Sequence, residues 1–170
     1  MGSGIAQKTA QEHYPVQLVD RDQPSVDRGQ QIIADFLEEA VGRRIFSEDE
    51  TEKIRSRITS VVGSESVADD TDLVIEAVFE DIDVKRAVFE ALDSACGPKT
   101  ILASNTSSLS IDELAAMTNR DDRFIGLHFF YHPAKNRLVE IIPASGTSEE
   151  TVSKVAQFCK QLGKVVIVCK

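Results

Sequence analysis

The chain has 170 residues, 42% of them hydrophobic, enough apolar surface for one core of ordinary domain size. Its 19 Lys and Arg against 28 Asp and Glu give a formal charge of −9, which argues against nucleic acid or an anionic membrane surface as a general partner. There is no apolar run of membrane-spanning length and no signal-peptide pattern, so a cytoplasmic protein is expected; Cys96, Cys159 and Cys169 lack metal-ligand spacing and are expected to be reduced and buried, with no metal bound.

Gly2 and Gly4 open an apolar-periodic segment that predicts a helix. Residues 16–19 read as a strand closed by Asp20. Ser25 is expected to cap a helix running to about Val41, and the sequence from Ser47 to Glu50 has the form of a capping box for a second helix through Arg57. Between them Gly42-Arg43-Arg44 sets cations at a helix C-terminus, where the helix dipole favours them. Residues 58–62 predict a strand. After an acidic link, residues 72–78 form the continuous apolar run of a buried parallel strand, with Glu76 and Glu80 at its carboxyl end. Lys85 falls in the first turn of the next helix, residues 83–96, where a cation is mildly unfavourable and has reason to find another partner.

Two further apolar runs, residues 100–103 and 124–130, carry polar groups of a different kind. The first ends in Ser104-Asn105-Thr106-Ser107-Ser108, and the second contains His128. Ser110 begins another capped helix to about Met117. Residues 138–142 hold Glu140 among apolar neighbours, and a helix over 148–162 and a strand over 165–169 close the pattern. This alternation predicts an α/β fold, one domain over residues 1–170, with a mainly parallel sheet, helices on both faces and right-handed crossovers. The carboxyl ends of such strands line the ligand crevice.

Glu140 must either face water on an edge strand or hold a partner, because unpaired burial of a carboxylate is costly. His128 is the available partner, and an imidazole oriented by a carboxylate is the usual construction of a general base. His132, in the loop over residues 131–137, reads as a surface histidine. On residue type alone, the Ser/Thr cluster after residue 103 reads as a turn leading into a helix.

The ordered motifs DLVIEAVFED, LASNTSSLSI, RFIGLHFF and LVEII resemble the NAD-binding domain of the L-3-hydroxyacyl-CoA dehydrogenases, over essentially the whole chain. The resemblance implies a Rossmann-like domain acting on an acyl-CoA substrate with NAD as cofactor. It makes His128 the catalytic base and Glu140 its orienting partner, sets Ser107 against the substrate hydroxyl or nicotinamide and Asn105 on the nicotinamide side, and assigns Glu80 and Lys85 to the cofactor pocket. Arg43 or Arg44 would meet the CoA phosphates, although a helix end explains both. Gly2 becomes the third glycine of the phosphate-binding fingerprint. Asp20, 18 residues further on, stands close to where a ribose-binding acid belongs, which favours NAD over NADP; an ordinary turn residue and an Arg21 able to meet a 2′-phosphate are the competing explanations.

Two departures shape the expectation. Residues 131–137 differ from the Asn-Pro pair that commonly follows HFF in the family, which leaves the acyl pocket open to change. The sequence is also expected to lack the first strand, most of the phosphate loop, and the C-terminal helical domain that supplies dimer contacts in a homodimer. If the absent strand is central, a slot divides the sheet between the strand ending at Asp20 and the one ending near Glu80. An NAD-dependent dehydrogenase of another hydroxy acid, or a nucleotide-binding module without turnover, are the alternative functions.

Overall fold

The computed structural model describes residues 1–169. Helix α1 (Gly2–Gln11) leads into strand β1 (Val16–Asp20), followed by α2 (Gln23–Gly42), α3 (Glu48–Arg55), β2 (Ile58–Val62), β3 (Leu73–Glu76) and α4 (Ile82–Ala95). The second half runs β4 (Ile101–Ser104), α5 (Ile111–Ala115), β5 (Phe124–Phe129), β6 (Leu138–Pro143), α6 (Glu149–Gln161) and β7 (Val165–Val168). The strands form two sheets. One pairs β1 with β2, and the other has the order β3-β4-β5-β6-β7, parallel throughout except for the antiparallel pair β5–β6. Among the described residues no strand joins β1 to β3, so the division falls where the sequence pattern places the slot.

Side chains alternate across a strand, and the two faces of the larger sheet separate by residue parity. Odd-numbered Ile101, Ala103, Ile125, Leu127, Val139 and Ile141 pack with Ile5 of α1 and with Val155 and Cys159 of α6. Even-numbered Leu102 and Phe124 pack on the other face with Phe89 and Leu92 of α4 and Ile111 and Leu114 of α5. Helix α1 serves both sheets: Ile5 belongs to the core of the larger one, while Ala6 and Ala10 pack with Leu18 of β1 and with Ile33 and Leu37 of α2. A polar stitch adds to this join, where the Ala68 N–H donates to Gln17 Oε1 of β1 at 3.1 Å.

Local signals explain most boundaries. Ser47 and Glu50 close a reciprocal capping box on α3, and Ser110 and Ser148 cap α5 and α6. The expected cap at Ser25 is corrected: Asp22 is the N-cap of α2 and accepts from the Ser25 N–H, because Pro24 suits the first helical turn. Cys96 and Cys159 are buried, whereas Cys169, expected to be buried as well, is only half-buried near the end of the exposed strand β7. Among the described residues no helix is long and apolar enough to cross a membrane.

Gly126 shows how tightly α5 seats on β5. A Cβ at this position would lie 2.8 Å from Ile111 Cδ1 and 2.9 Å from Ile142 Cβ. Gly126→Ala is therefore expected to destabilise the fold by about 1–3 kcal/mol through overpacking, read as a lower urea midpoint with an unchanged slope. A midpoint equal to that of the parent chain would show that Ile111 swings away and that β6 yields at Ile142 at no cost.

Candidate active site

The antiparallel pair β5–β6 places His128 directly opposite Glu140. The imidazole Nδ1 lies 3.0 Å from Glu140 Oε2, with the two side chains 19% and 32% exposed. A carboxylate only accepts, so Nδ1 donates the proton and Nε2 keeps its lone pair. The ring also rests on Phe130, with centroids 4.5 Å apart, which limits its rotation. The contact fixes the imidazole tautomer and leaves Nε2 on a ring that solvent can reach.

Asn105 follows β4 and is tied at two points. Its N–H donates to the Glu76 carbonyl at 2.8 Å, and its Oδ1 accepts from the Phe129 N–H, the residue after His128, also at 2.8 Å. The turn that follows is organised around Glu80. The Glu80 carboxylate accepts from the Thr106 hydroxyl, from the Ser108 hydroxyl at 3.0 Å and from the Ser107 N–H at 3.3 Å. Burial pushes the Glu80 carboxyl upward, but the hydrogen bonds from Thr106 and Ser108 and the charge of Lys85 outweigh it and hold the group below the usual carboxylate range. Ser107 stands exposed at the tip of this turn.

Lys85 has the other partner its helix position called for. Its ammonium lies 2.7 Å from Glu76 Oε1 and 3.3 Å from Glu80 Oε2, and the side chain is only 1% exposed. It reaches the crevice through Glu80 rather than directly. Glu76 and Ser104, neither assigned a role from sequence, complete the support: Ser104 donates to Glu76 Oε2 at 2.6 Å. The available signal was the pair of acidic residues closing an apolar strand, with a lysine one helical turn into α4.

The remaining candidates lie further along the sheet. Asp20 is exposed at the end of β1, its carboxylate engaged by the Arg21 N–H at 2.8 Å. Gly2 begins α1 beside the residue after β3, where a Cβ would come 3.9 Å from Ala77 Cβ. Arg43 caps α2 and pairs with Glu39 at 2.6 Å, and Arg44 takes a left-handed conformation, φ 59°, in the same helix end. The placement of His132 is a correction. Far from being a surface residue, it is 9% exposed, packs edge-on against Phe36 with centroids 4.2 Å apart, and accepts from the Ala134 N–H at 3.2 Å. Desolvation, aided by the charge of Lys135, pushes its pKa down, so the ring is a neutral wall element. With Gln7, Phe36 and Arg43 it lines a cavity of about 120 Å³. Lys164 fixes the far side of this loop by donating to the carbonyls of Pro133 and Asn136.

Helices on both faces of a mainly parallel sheet, with these polar groups at its strand ends, define a Rossmann-like α/β domain. Residues 1–170 match the family model of the 3-hydroxyacyl-CoA dehydrogenase NAD-binding domain. The chain belongs to that family. It is 39% identical to the mitochondrial hydroxyacyl-coenzyme A dehydrogenase of Rattus norvegicus over 176 residues, covering 100% of this chain and 56% of the relative. It is 38% identical to the probable 3-hydroxybutyryl-CoA dehydrogenase of Bacillus subtilis, covering 98% and 58%. The crystal structure of the (S)-3-hydroxybutyryl-CoA dehydrogenase of Ralstonia eutropha superposes with a TM-score of 0.95 at 38% identity, covering 99% of this chain and 59% of that one. The chain thus spans a little over half the length of these relatives.

Proposed function

We propose that the chain provides the cofactor domain and the catalytic base of an NAD-dependent 3-hydroxyacyl-CoA dehydrogenase, oxidising L-3-hydroxyacyl-CoA to 3-oxoacyl-CoA in fatty-acid oxidation or butyrate metabolism. The observation that carries this reading is the His128–Glu140 pair, 3.0 Å apart on adjacent strands. Nε2 of His128 takes the proton of the substrate hydroxyl, and Glu140 holds the tautomer and stabilises the imidazolium that results. Bound NAD supplies the hydride acceptor. Its holding residues are Asp20 for ribose, Gly2 for close approach of the phosphates, and Asn105, Glu80 and Ser107 around the nicotinamide, with Lys85 acting through Glu80. The residues present fit such a group: Asp20 offers a carboxylate free of any cationic side chain among the described residues, and Gly2 leaves room beside Ala77.

The substrate is an acyl-CoA, met by Arg43 or Arg44, and the working form is a cytoplasmic homodimer. A second reading, a dehydrogenase of a hydroxy acid without CoA, is favoured by the Arg43–Glu39 pair, which engages one of the two candidate CoA-binding cations within its own helix end. Calorimetric titration with NADH, with near-UV circular dichroism on the same sample, tests the cofactor assignment, and micromolar binding by a folded chain is expected. Turnover of 3-hydroxybutyryl-CoA against free 3-hydroxybutyrate separates the two substrates; preference for the free acid would sink the thioester reading.

A further inference from the structure

Lys85 and Glu76 are the most deeply enclosed ion pair among the described residues, with side-chain exposures of 1% and 0%. Glu76 has no oxygen left free. Oε1 accepts from Lys85 Nζ and from the Val78 N–H, each at 2.7 Å, and Oε2 accepts from the Ser104 hydroxyl at 2.6 Å. The Lys85 ammonium and the Val78 N–H can only donate and the Ser104 hydroxyl is able to donate, so every partner suits a carboxylate acceptor. The same ammonium lies 3.3 Å from Glu80, whose side chain is 38% exposed. The cluster therefore holds two carboxylates and one ammonium. Asp81 and Asp83 follow closely in sequence, but the Asp81 carboxylate caps α4 by accepting from the Asp83 and Val84 N–H groups, and both residues sit in the exposed first turn.

One negative charge is left uncompensated, and its open end is Glu80, bound to the turn that carries Ser107 and begins at Asn105. This turn is the nicotinamide side in the function proposed above, on which the following inference rests. The nicotinamide ring is cationic when oxidised and neutral when reduced, so a nearby excess carboxylate distinguishes the two. We infer that Glu76, by claiming the charge of Lys85 from the buried side, leaves Glu80 anionic and biases the site toward the oxidised cofactor over the reduced one. Glu76 is a positioning residue in this scheme, because it touches neither substrate nor cofactor.

In general, two unit charges on the order of 10 Å apart at an effective dielectric constant of about 20–40 attract by an energy equivalent to roughly a 4–20-fold change in affinity, which sets the scale expected of one uncompensated carboxylate. Glu76→Gln keeps the shape and can keep the bonds to Val78, Lys85 and Ser104, since a serine hydroxyl also accepts from an amide. It leaves Lys85 to neutralise Glu80. Titration of the full chain with NAD+ and NADH separately is expected to show the ratio Kd(NAD+)/Kd(NADH) rising about 4–20-fold in this variant. A merely structural role would weaken both forms by the same factor. Glu80→Gln, altered at the exposed end where folding is tolerant, is expected to move the ratio in the same direction and decides the matter if Glu76→Gln does not fold. An unchanged ratio in the folded variants overturns the charge assignment while the cofactor reading stands. A parent chain that binds neither form overturns the cofactor reading, and this inference with it.

Discussion

Replacing His128 with alanine in a full-length enzyme carrying this domain is expected to lower kcat by about 10²–10⁴-fold, with cofactor affinity nearly unchanged. Nδ1 is committed to Glu140 at 3.0 Å, so Nε2 is the nitrogen free to receive a proton. His132 offers no substitute: it is buried against Phe36, its Nδ1 accepts from the Ala134 N–H, and its pKa is pushed down by desolvation. Steady-state oxidation of 3-hydroxybutyryl-CoA checks the loss, with NADH titration as the control for binding. If kcat stayed within a few-fold of the parent enzyme, the base would have to be sought elsewhere.

Lys85→Met is expected to destabilise the fold by about 3–5 kcal/mol, because it leaves the fully enclosed Glu76 carboxylate without its cation and beside a second carboxylate. Adding Glu76→Gln to the same chain removes the buried charge, so the double variant is expected to be more stable than Lys85→Met alone despite carrying one more change. Urea unfolding of the parent, both single variants and the double closes the cycle. Purely additive losses would show that Glu76 and Lys85 are not energetically coupled, against their 2.7 Å separation.

Much of this arrangement was legible in the sequence, for physical reasons that differ from residue to residue. The strands over 72–78 and 124–130 declare themselves because continuous apolar runs suit a sheet covered on both faces, and Glu140 stands out because a carboxylate in such a run needs a partner. The pairing with His128 follows from two strands and a connection of suitable length. Lys85 was conspicuous as a cation in the first turn of a helix. Its two carboxylate partners were not legible as partners, since a contact between the end of β3 and the first turn of α4 depends on how α4 lies across the sheet, which periodicity does not encode. The same limit explains His132: loop position suggests exposure, but Lys164, distant in sequence, draws the loop inward through the carbonyls of Pro133 and Asn136. The cap at Asp22 rather than Ser25 was a choice between two good capping residues, decided by Pro24.

The antiparallel step between β5 and β6 has a bearing on how the domain tolerates change. His128 and Glu140 face each other by strand register, as do Gly126 with Ile142 and Phe129 with Val139. Register fixes which face each side chain occupies, and a slip of one residue would send the imidazole and the carboxylate to opposite sides. The connecting segment over residues 131–137 contributes no atom to that alignment. Its His132 and Ala134 line a cavity wall, while the His128–Glu140 contact is held by the two strands. Under the function proposed above, the pocket-lining loop and the His128–Glu140 pair belong to separate pieces of chain, one a connection and the other a strand register.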